Sequence, residues 1–447
     1  TSETSGTSET SGTSETSPTT VTTGPEPECR SDFDCVGYCE YCVDGACVDF
    51  PGCCGLVQGP DGGFEVRCIG YECYGDLGCD EDEYCTGSYG IGGSCLPLPP
   101  IPVCELLPLS LSTVSLQSAP SAVALADLDG DGALDLVAVH AEGGLVEIAL
   151  GDGQGGFAAA ATFPTGLSGP EPRVAVADFN LDGEPDLAVT AWAPVGELSL
   201  LFGQDAMFAA PVLDAMGQGP QQVWAGDFDG DGVPDLVSHD GEDDGRVTLR
   251  VGDGMGGFGA EEVLDDVSAL PSTVGVGQVT GGGLDIVTTR TDGPGATIVR
   301  YMPGQGFVQT ATLAGKGSFT PHVALAVGDV DADGLHDVVG YRVPSFRPLI
   351  QVWPNLTQAP EFAVEGAISL GSIADVDGDG LGDLVAVQEG GAALRVIFLD
   401  EPCVQTYALQ SATSPPRVAT GDLDGDGKAD IVAGHDSGTV TVLRSGP

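Results

Sequence analysis

Acidic loops of fixed spacing carry the most specific chemistry in this sequence. The first reads Asp127-Leu128-Asp129-Gly130-Asp131-Gly132-Ala133-Leu134-Asp135, with carboxylates at positions 1, 3, 5 and 9 and glycine at 6. In a tight loop alternate side chains turn inward, a backbone carbonyl near position 7 adds an oxygen, and the last aspartate closes the cage. Such an oxygen-only set suits a hard cation. Ca²⁺ accepts about six to eight oxygens in irregular geometry, whereas Mg²⁺ demands a stricter octahedron and keeps its water. Glycine at position 6 permits a turn that a side chain would obstruct. Carboxylates crowded in this way repel one another. An ion that binds only the folded state therefore stabilises it by mass action.

Five further loops keep the spacing. They are Asp178, Asn180, Asp182 and Asp186; Asp227, Asp229, Asp231 and Asp235; Asp329, Asp331, Asp333 and Asp337; Asp375, Asp377, Asp379 and Asp383; and Asp422, Asp424, Asp426 and Asp430. A degenerate copy, GQVTGGGLDIV, lies between the third and fourth of these six loops. There Gln278, Thr280 and Gly282 replace the ligands, one residue is missing, and only Gly283 and Asp285 survive. No ion is expected in that copy. The six intact loops predict up to six Ca²⁺ ions. Each loop supplies its own full set of oxygens and leaves no open position, so the ions are expected to be structural, not catalytic.

The loops recur about every 50 residues, which marks a repeat architecture. Each unit has one grammar. In the second, Arg173–Ala177 is a short apolar strand running into the loop, Asp186–Thr190 follows as a second strand, and Leu198–Phe202 as a third. A turn leads to a fourth strand opened by Phe208 and PVL. The equivalent turns elsewhere read GDGQGGF (151–157) and GDGMGGF (252–258), with the glycines such hairpins need. No 3.6-residue periodicity appears. Four antiparallel strands in each of seven units predict an all-β fold, a seven-bladed β-propeller. An EF-hand uses similar spacing but closes with Glu at position 12 between helices. Here position 12 is Ala138 and the flanks read as strands.

Residues 105–447 resemble FG-GAP/VCBS repeat propellers, the type found in the integrin α-subunit head, through the D-x-D-x-D-G-x-x-D loop after a short strand and the GDGxGxF turn. The resemblance implies cations in the loops between first and second strands, on one face of a disc. The last unit, GTVTVLRSGP, finishes a third strand and stops, while residues 109–116, LSLSTVSL, have strand alternation and no unit of their own. They are expected to complete the last blade and hide its edge. Cys104 would then lie beside the blade whose fourth strand begins at Cys403, so these two are expected to form a disulfide.

The remaining chain divides at about 28 and 104. Residues 1–28 repeat TSETSG and are expected to be a disordered linker or stalk. Residues 29–104 hold twelve closely spaced cysteines before Cys104 and few aliphatics, which predicts a small disulfide-rich module. Zinc through Cys39 and Cys42 is the alternative, but the region has no histidine. The run CRSDFDCVGYCEYCVDGAC loosely resembles the small Cys-rich modules of bacterial surface proteins. Fourteen cysteines in all imply an oxidising compartment. Thr1 in place of Met fits a removed signal peptide, so an extracellular or cell-surface location is inferred. Asn355-Leu356-Thr357 is an N-glycosylation sequon, relevant only in a eukaryotic secretory route. A formal net charge of −53, with only 14 Lys and Arg, argues against nucleic acid and anionic membranes as partners. No transmembrane run is present.

Function must come from a site, not the fold. The face opposite the loops collects scarce residue types. His140, His239 and His435 follow second strands, Arg290 and Tyr341 occupy similar places, and Trp192 falls in another such connection. Arg173, Gln222 and Arg417 share one offset before first strands, where a channel mouth should lie. The plain alternative is that loops tolerate any polar residue. These positions favour a binding or adhesion module for a glycan or protein ligand. A matrix protein without a specific ligand is the second reading, and a propeller lyase or hydrolase the third. Against an enzyme, there is no G-x-S-x-G, no H-E-x-x-H, and the five histidines are scattered over different units.

Overall fold

A computed structural model of the chain describes residues 102–104 and 109–446, other than 141–143, 159, 193–195, 205–206, 217–221, 241–245, 265–272, 290–294, 315–323, 343–347, 358–361, 367, 389, 392, 401 and 410–416. Of the preceding residues it describes backbone strands alone: Glu40–Val43 with Ala46–Asp49, Cys53–Gln58 with Phe64–Ile69, and Glu83–Cys85 with Cys95–Pro97. The expectations for residues 1–28, for the cysteine pairing of 29–95 and for Arg290 lie outside the described residues.

From Ser110 onward the described residues form seven four-stranded antiparallel sheets. Blade 1 is Pro120–Ala126, Asp135–His140, Leu145–Ala149 and Ala161–Pro164. Blade 2 is Arg173–Ala177, Asp186–Ala191, Gly196–Leu201 and Val212–Met216; blade 3 is Gln222–Gly226, Asp235–His239, Val247–Arg250 and Glu262–Val263. Blade 4 is Val274–Gly277, Asp285–Thr289, Gly295–Met302 and Gly306–Ala314; blade 5 is Ala324–Gly328, Asp337–Arg342, Leu349–Trp353 and Phe362–Ala363. Blade 6 is Ile368–Ala374, Asp383–Gln388, Ala393–Phe398 and Cys403–Ala408. Blade 7 joins Arg417–Gly421, Asp430–His435 and Thr439–Arg444 to Ser110–Ser115. One expectation is corrected. Phe208 does not open the fourth strand of blade 2 but pairs with Gly203 in a separate two-residue ribbon.

The second strands show why the sequence reads as apolar runs. Asp135–His140, Asp186–Ala191 and Asp430–His435 are buried along their whole length. Side chains alternate across a strand, so Val137 and Val139 pack toward blade 2 while Leu136 packs toward blade 7. In blade 2, Leu187 and Val189 face blade 1, and Ala188 faces blade 3. A strand buried on both faces loses the polar half of its alternation. Seven apolar clusters result, one at each blade interface, the seventh joining Val432, Val440 and Val442 to Leu136 and Ala149. Burying one Val or Leu side chain contributes roughly 1.5–3 kcal/mol, and that driving force is spread around the ring.

First strands touch between blades 1 and 2, 2 and 3, 4 and 5, 5 and 6, 6 and 7, and 7 and 1, and so form the inner layer. Four of them end in glycine, and at two the reason is a leucine of the next blade. A Cβ on Gly421 would lie 2.5 Å from Leu134 Cδ1, and one on Gly226 2.4 Å from Leu284 Cδ1. The leucine before the closing aspartate of one loop thus packs on the strand end of the previous blade.

Closure follows the expected plan. Ser110–Ser115 pairs with Thr439–Arg444 in the register Thr439↔Ser115 to Arg444↔Ser110. Cys104 and Cys403 form a disulfide with Cα atoms 5.3 Å apart. Beside it, Cys104 N–H donates to Val404 O at 3.2 Å, and Val404 N–H to Pro102 O at 2.8 Å.

Candidate metal centre

Each loop joins a first strand to a second and is shaped by its own carboxylates. In blade 1, Asp127 accepts the N–H of Gly130 on one oxygen and of Gly132 on the other, at 2.8 and 2.9 Å. Asp129 accepts from Asp131 N–H at 3.2 Å, and Asp131 from Ala133 N–H at 2.8 Å. These nested turns require the glycine at position 6, whose φ lies between 87° and 93° in all six intact loops. Position 4 is also left-handed. Leu181 and Ala332 adopt it at 58° and 59° where the other intact loops have glycine.

Five loops bring three carboxylates together, with one ligand atom from each within 4.8 Å of the others. The groups are Asp127, Asp129 and Asp135; Asp227, Asp229 and Asp235; Asp329, Asp331 and Asp333; Asp375, Asp377 and Asp383; and Asp422, Asp424 and Asp430. Three of the four expected carboxylates converge in each. Asp131, Asp231, Asp379 and Asp426 stand outside the groups and cap the N–H of Ala133, Val233, Leu381 and Lys428. In blade 5 it is Asp337 that stands outside.

The exception among the six expected loops is that of blade 2, where position 3 is Asn180 and not a carboxylate. Among the described residues Asp178, Asp182 and Asp186 form no such group. Asn180 supplies an amide where the other loops have a carboxylate, and its Nδ2 donates to Asp182 Oδ2 at 2.9 Å. That site lacks one unit of negative charge and spends one oxygen internally.

The groups fit a hard divalent cation. Asp329 Oδ1 and Asp424 Oδ1 are buried and accept no hydrogen bond. A buried polar atom left unmatched costs about 1–3 kcal/mol, and a cation held by its group would remove that cost. Once bound, the ion would neutralise the clustered charge, a stabilising role with no chemical step.

The closing aspartate does more than ligate. In blade 1, Asp135 Oδ2 accepts Leu128 N–H and its Oδ1 accepts Gly151 N–H, both at 2.8 Å. The arrangement repeats with Asp186 to Phe179 and Gly203, Asp235 to Phe228 and Gly252, Asp337 to Val330 and Asn355, and Asp430 to Leu423 and Ser445. One buried carboxylate thereby staples the loop to the end of the third strand. Burial pushes Asp186 and Asp235 up to about 6 against the pull of these N–H groups. Burial, joined by the charges of the nearby Asp377, Asp379 and Asp375, pushes Asp383 up to about 8. Sequence reasoning missed this staple. Its signal was the glycine that opens the GDG turn, 16 or 17 residues after the aspartate.

The turns also join blades. Asp152 and Asp253 cap their own turns through Gln154 and Gly156, and through Met255 and Gly257. Gly155 N–H then donates to Leu423 O of blade 7 at 3.0 Å, and Gly256 N–H to Phe179 O of blade 2 at 3.1 Å. Loops and turns therefore share one face.

At the other ends of the strands the expected cluster of polar residues divides in two. His140, His239, His435 and Tyr341 are buried to within 3%, contrary to their expected place on an open face. Burial of the second strand continues to its last residue. His140 Nε2 lies 2.9 Å from Glu147 Oε2, His435 Nε2 lies 2.8 Å from Thr441 Oγ1, and Tyr341 Oη accepts Ile368 N–H at 3.1 Å. Arg173 and Arg417 do come together. From blades 2 and 7 they reach the same carbonyl of blade 1, Ser121 O, at 3.4 and 2.7 Å. Burial, then the charge of Arg417, hold the Arg173 guanidinium below its usual range. Gln222 is exposed at the same offset in blade 3, and Trp192 is 37% exposed. Asn355 of the sequon donates its Nδ2 to Asp331 Oδ2 at 2.9 Å.

No helix among the described residues is long and apolar enough to cross a membrane. The Cys104–Cys403 disulfide points to an extracytoplasmic, oxidising compartment.

No curated protein sequence gives a significant match. Among solved structures, a crystal structure of BBS1N in complex with ARL6DN, soaked with mercury, is similar over 77% of this chain and 98% of that chain, with 13% identity and a TM-score of 0.51. A crystal structure of the BBS1N complex soaked with lead gives 12% identity and a TM-score of 0.51 over the same shares. At such identity the likeness concerns the fold alone. The FG-GAP-like repeat model matches residues 127–189 and 375–433, which contain the loops of blades 1, 2, 6 and 7, and does not reach the cysteine-rich segment. With seven closed blades and that loop recurring in them, the chain is an FG-GAP-like repeat β-propeller.

Proposed function

We propose that this propeller is a secreted or cell-surface binding module, stiffened by Ca²⁺ in its Asp-rich loops, that recognises a glycan or protein ligand on the face opposite those loops. The observation that carries this reading is the convergence of Arg173 and Arg417 on Ser121 O. Two guanidiniums at the ends of the first strands that flank blade 1 are unusual in a chain with 14 Lys and Arg and a net charge of −53. Gln222 and Trp192 stand at strand ends on the same side. The burial of His140, His239 and His435 inside separate blades favours binding over catalysis, because none is open to act as a base. The test is a glycan array and a pull-down from extracellular extract in millimolar Ca²⁺, with the intact chain and an R173A/R417A variant. Captured ligands should be lost with the variant while its melting temperature holds. Ligands retained by the variant would remove this face from the account, and no ligand at all would favour a matrix role.

A further inference from the structure

The degenerate loop of blade 4 has lost every carboxylate but the closing one, yet it stays tied to that aspartate. Asp285 still accepts the N–H of Val279 and Thr280, at 3.1 and 2.7 Å, as the closing aspartates of the intact loops accept theirs. What fills the cage is Arg300, from the third strand of the same blade. Its Nη2 donates to Asp285 Oδ2 at 2.9 Å, Thr280 Oγ1 at 2.8 Å and Gly283 O at 3.2 Å, and its Nη1 to Gly281 O at 2.8 Å. These acceptors are the closing carboxylate, the side chain at position 3 and two backbone carbonyls, the classes of oxygen a cation would take. Arg300 Nε is buried without a partner, so the hydrogen bonds of this guanidinium all go to the loop.

The sequence changes in this loop fit that occupant. Gly282, where the intact loops have aspartate at position 5, lies in ordinary contact with the guanidinium, a Cβ there being 3.4 Å from Arg300 Nη1. Arg300 stands opposite Asp285, one residue beyond the pair Ile286↔Val299. The same place holds Leu150, Phe202, Val251 and Phe398 in blades 1, 2, 3 and 6, each one residue beyond the corresponding pair. None of these can enter a cage of oxygens.

We infer that Arg300 is the resident cation of blade 4, a covalently attached replacement for the divalent ion, and that this blade is independent of Ca²⁺. The inference concerns the ring itself and stands whether or not the opposite face binds a ligand.

Hydrogen exchange tests it on the intact chain, with Ca²⁺ and then with EDTA, at a temperature where circular dichroism shows the strands still formed. Loops 127–135, 227–235, 375–383 and 422–430 should exchange faster in EDTA by about tenfold or more, while 278–285 should not change. Acceleration of 278–285 along with the others would overturn the inference. Chemical rescue separates charge from packing. R300A should melt lower than the parent in saturating Ca²⁺, and millimolar guanidinium should restore part of the loss where equal NaCl does not. Equal effects of the two salts, or no loss in R300A, would also overturn it. Should R300A not fold, the exchange of the unmodified protein decides.

Discussion

Blades 4 and 7 carry arginine at the same point of the third strand, opposite the closing aspartate, and direct it differently. In blade 4, Arg300 turns into its own loop and bonds Thr280, Gly281, Gly283 and Asp285. In blade 7, Arg444 turns away and gives Nη1 to Gln154 O of blade 1 at 2.6 Å. Its exit needs a glycine, since a Cβ on Gly155 would lie 2.0 Å from Arg444 Cδ. The loop that Arg444 leaves behind holds Asp422, Asp424 and Asp430, and Asp424 Oδ1 there is buried without a hydrogen bond. The difference shows what a propeller loop requires. The closing aspartate and its bonds to the loop's N–H groups are common to both blades. The positive charge is the variable part: the chain supplies it in blade 4, and a cation from solvent would supply it in blade 7.

Chelation should separate the two most strongly. An ion present at about a hundred times its dissociation constant contributes ~2.7 kcal/mol to a single site. Several such sites together approach the roughly 5–15 kcal/mol that holds a typical domain. Calorimetry in EDTA should therefore show a large fall in melting temperature, reversed by Ca²⁺. A melting temperature that EDTA does not move would mean the carboxylate groups hold no ion that matters to folding.

The disulfide should come next, and its effect should fall on blade 7 and not on blade 4. Cys104 and Cys403 enclose a separation of 299 residues, for which chain entropy gives an upper value of about 5 kcal/mol. Cys104 also anchors the segment leading to Ser110–Ser115, the strand that closes blade 7. The double variant C104S/C403S should lower the melting temperature and increase exchange in Thr439–Arg444, while Gly295–Met302 stays protected. Equal loosening of both third strands would show that the bond acts on the ring as a whole.

Much of this comparison was legible in the sequence because the loops state their own geometry. Asp at alternating positions with glycine at 6 fixed the turn, and the missing strand after GTVTVLR pointed to residues 109–116 and then to the cysteine pair. What could not be read depends on contacts across a blade. Arg300 lies 15 residues from Asp285 and looks like any strand residue until register places it opposite the loop. Asn180 differs from Asp by one atom, yet its Nδ2 turns to Asp182, and the loop of blade 2 has no group of three carboxylates. His140 and Tyr341 stand at strand ends, where a linear reading expects solvent. Instead Tyr341 is covered by Ile368 of blade 6, and His140 is held against Glu147 of its own blade.

Two substitutions of blade 7, measured in saturating Ca²⁺, would sharpen the comparison at its fine end. D430A should be the costlier, because the carboxylate accepts Leu423 N–H, Ser445 N–H and Ser445 Oγ–H inside the blade. Each buried donor left unmatched costs about 1–3 kcal/mol, so a loss of ~3 kcal/mol or more in urea titration is expected. R444M should cost about 1 kcal/mol, the worth of one hydrogen bond to Gln154 O. The methionine stem keeps its apolar packing over Gly155, and the loop beneath would still seat its own ion. That small value is the informative one. A loss in R444M as large as in R300M, measured in parallel, would mean that both arginines serve as struts between segments. The distinction between a cation in the loop and a cation beside it would then be lost.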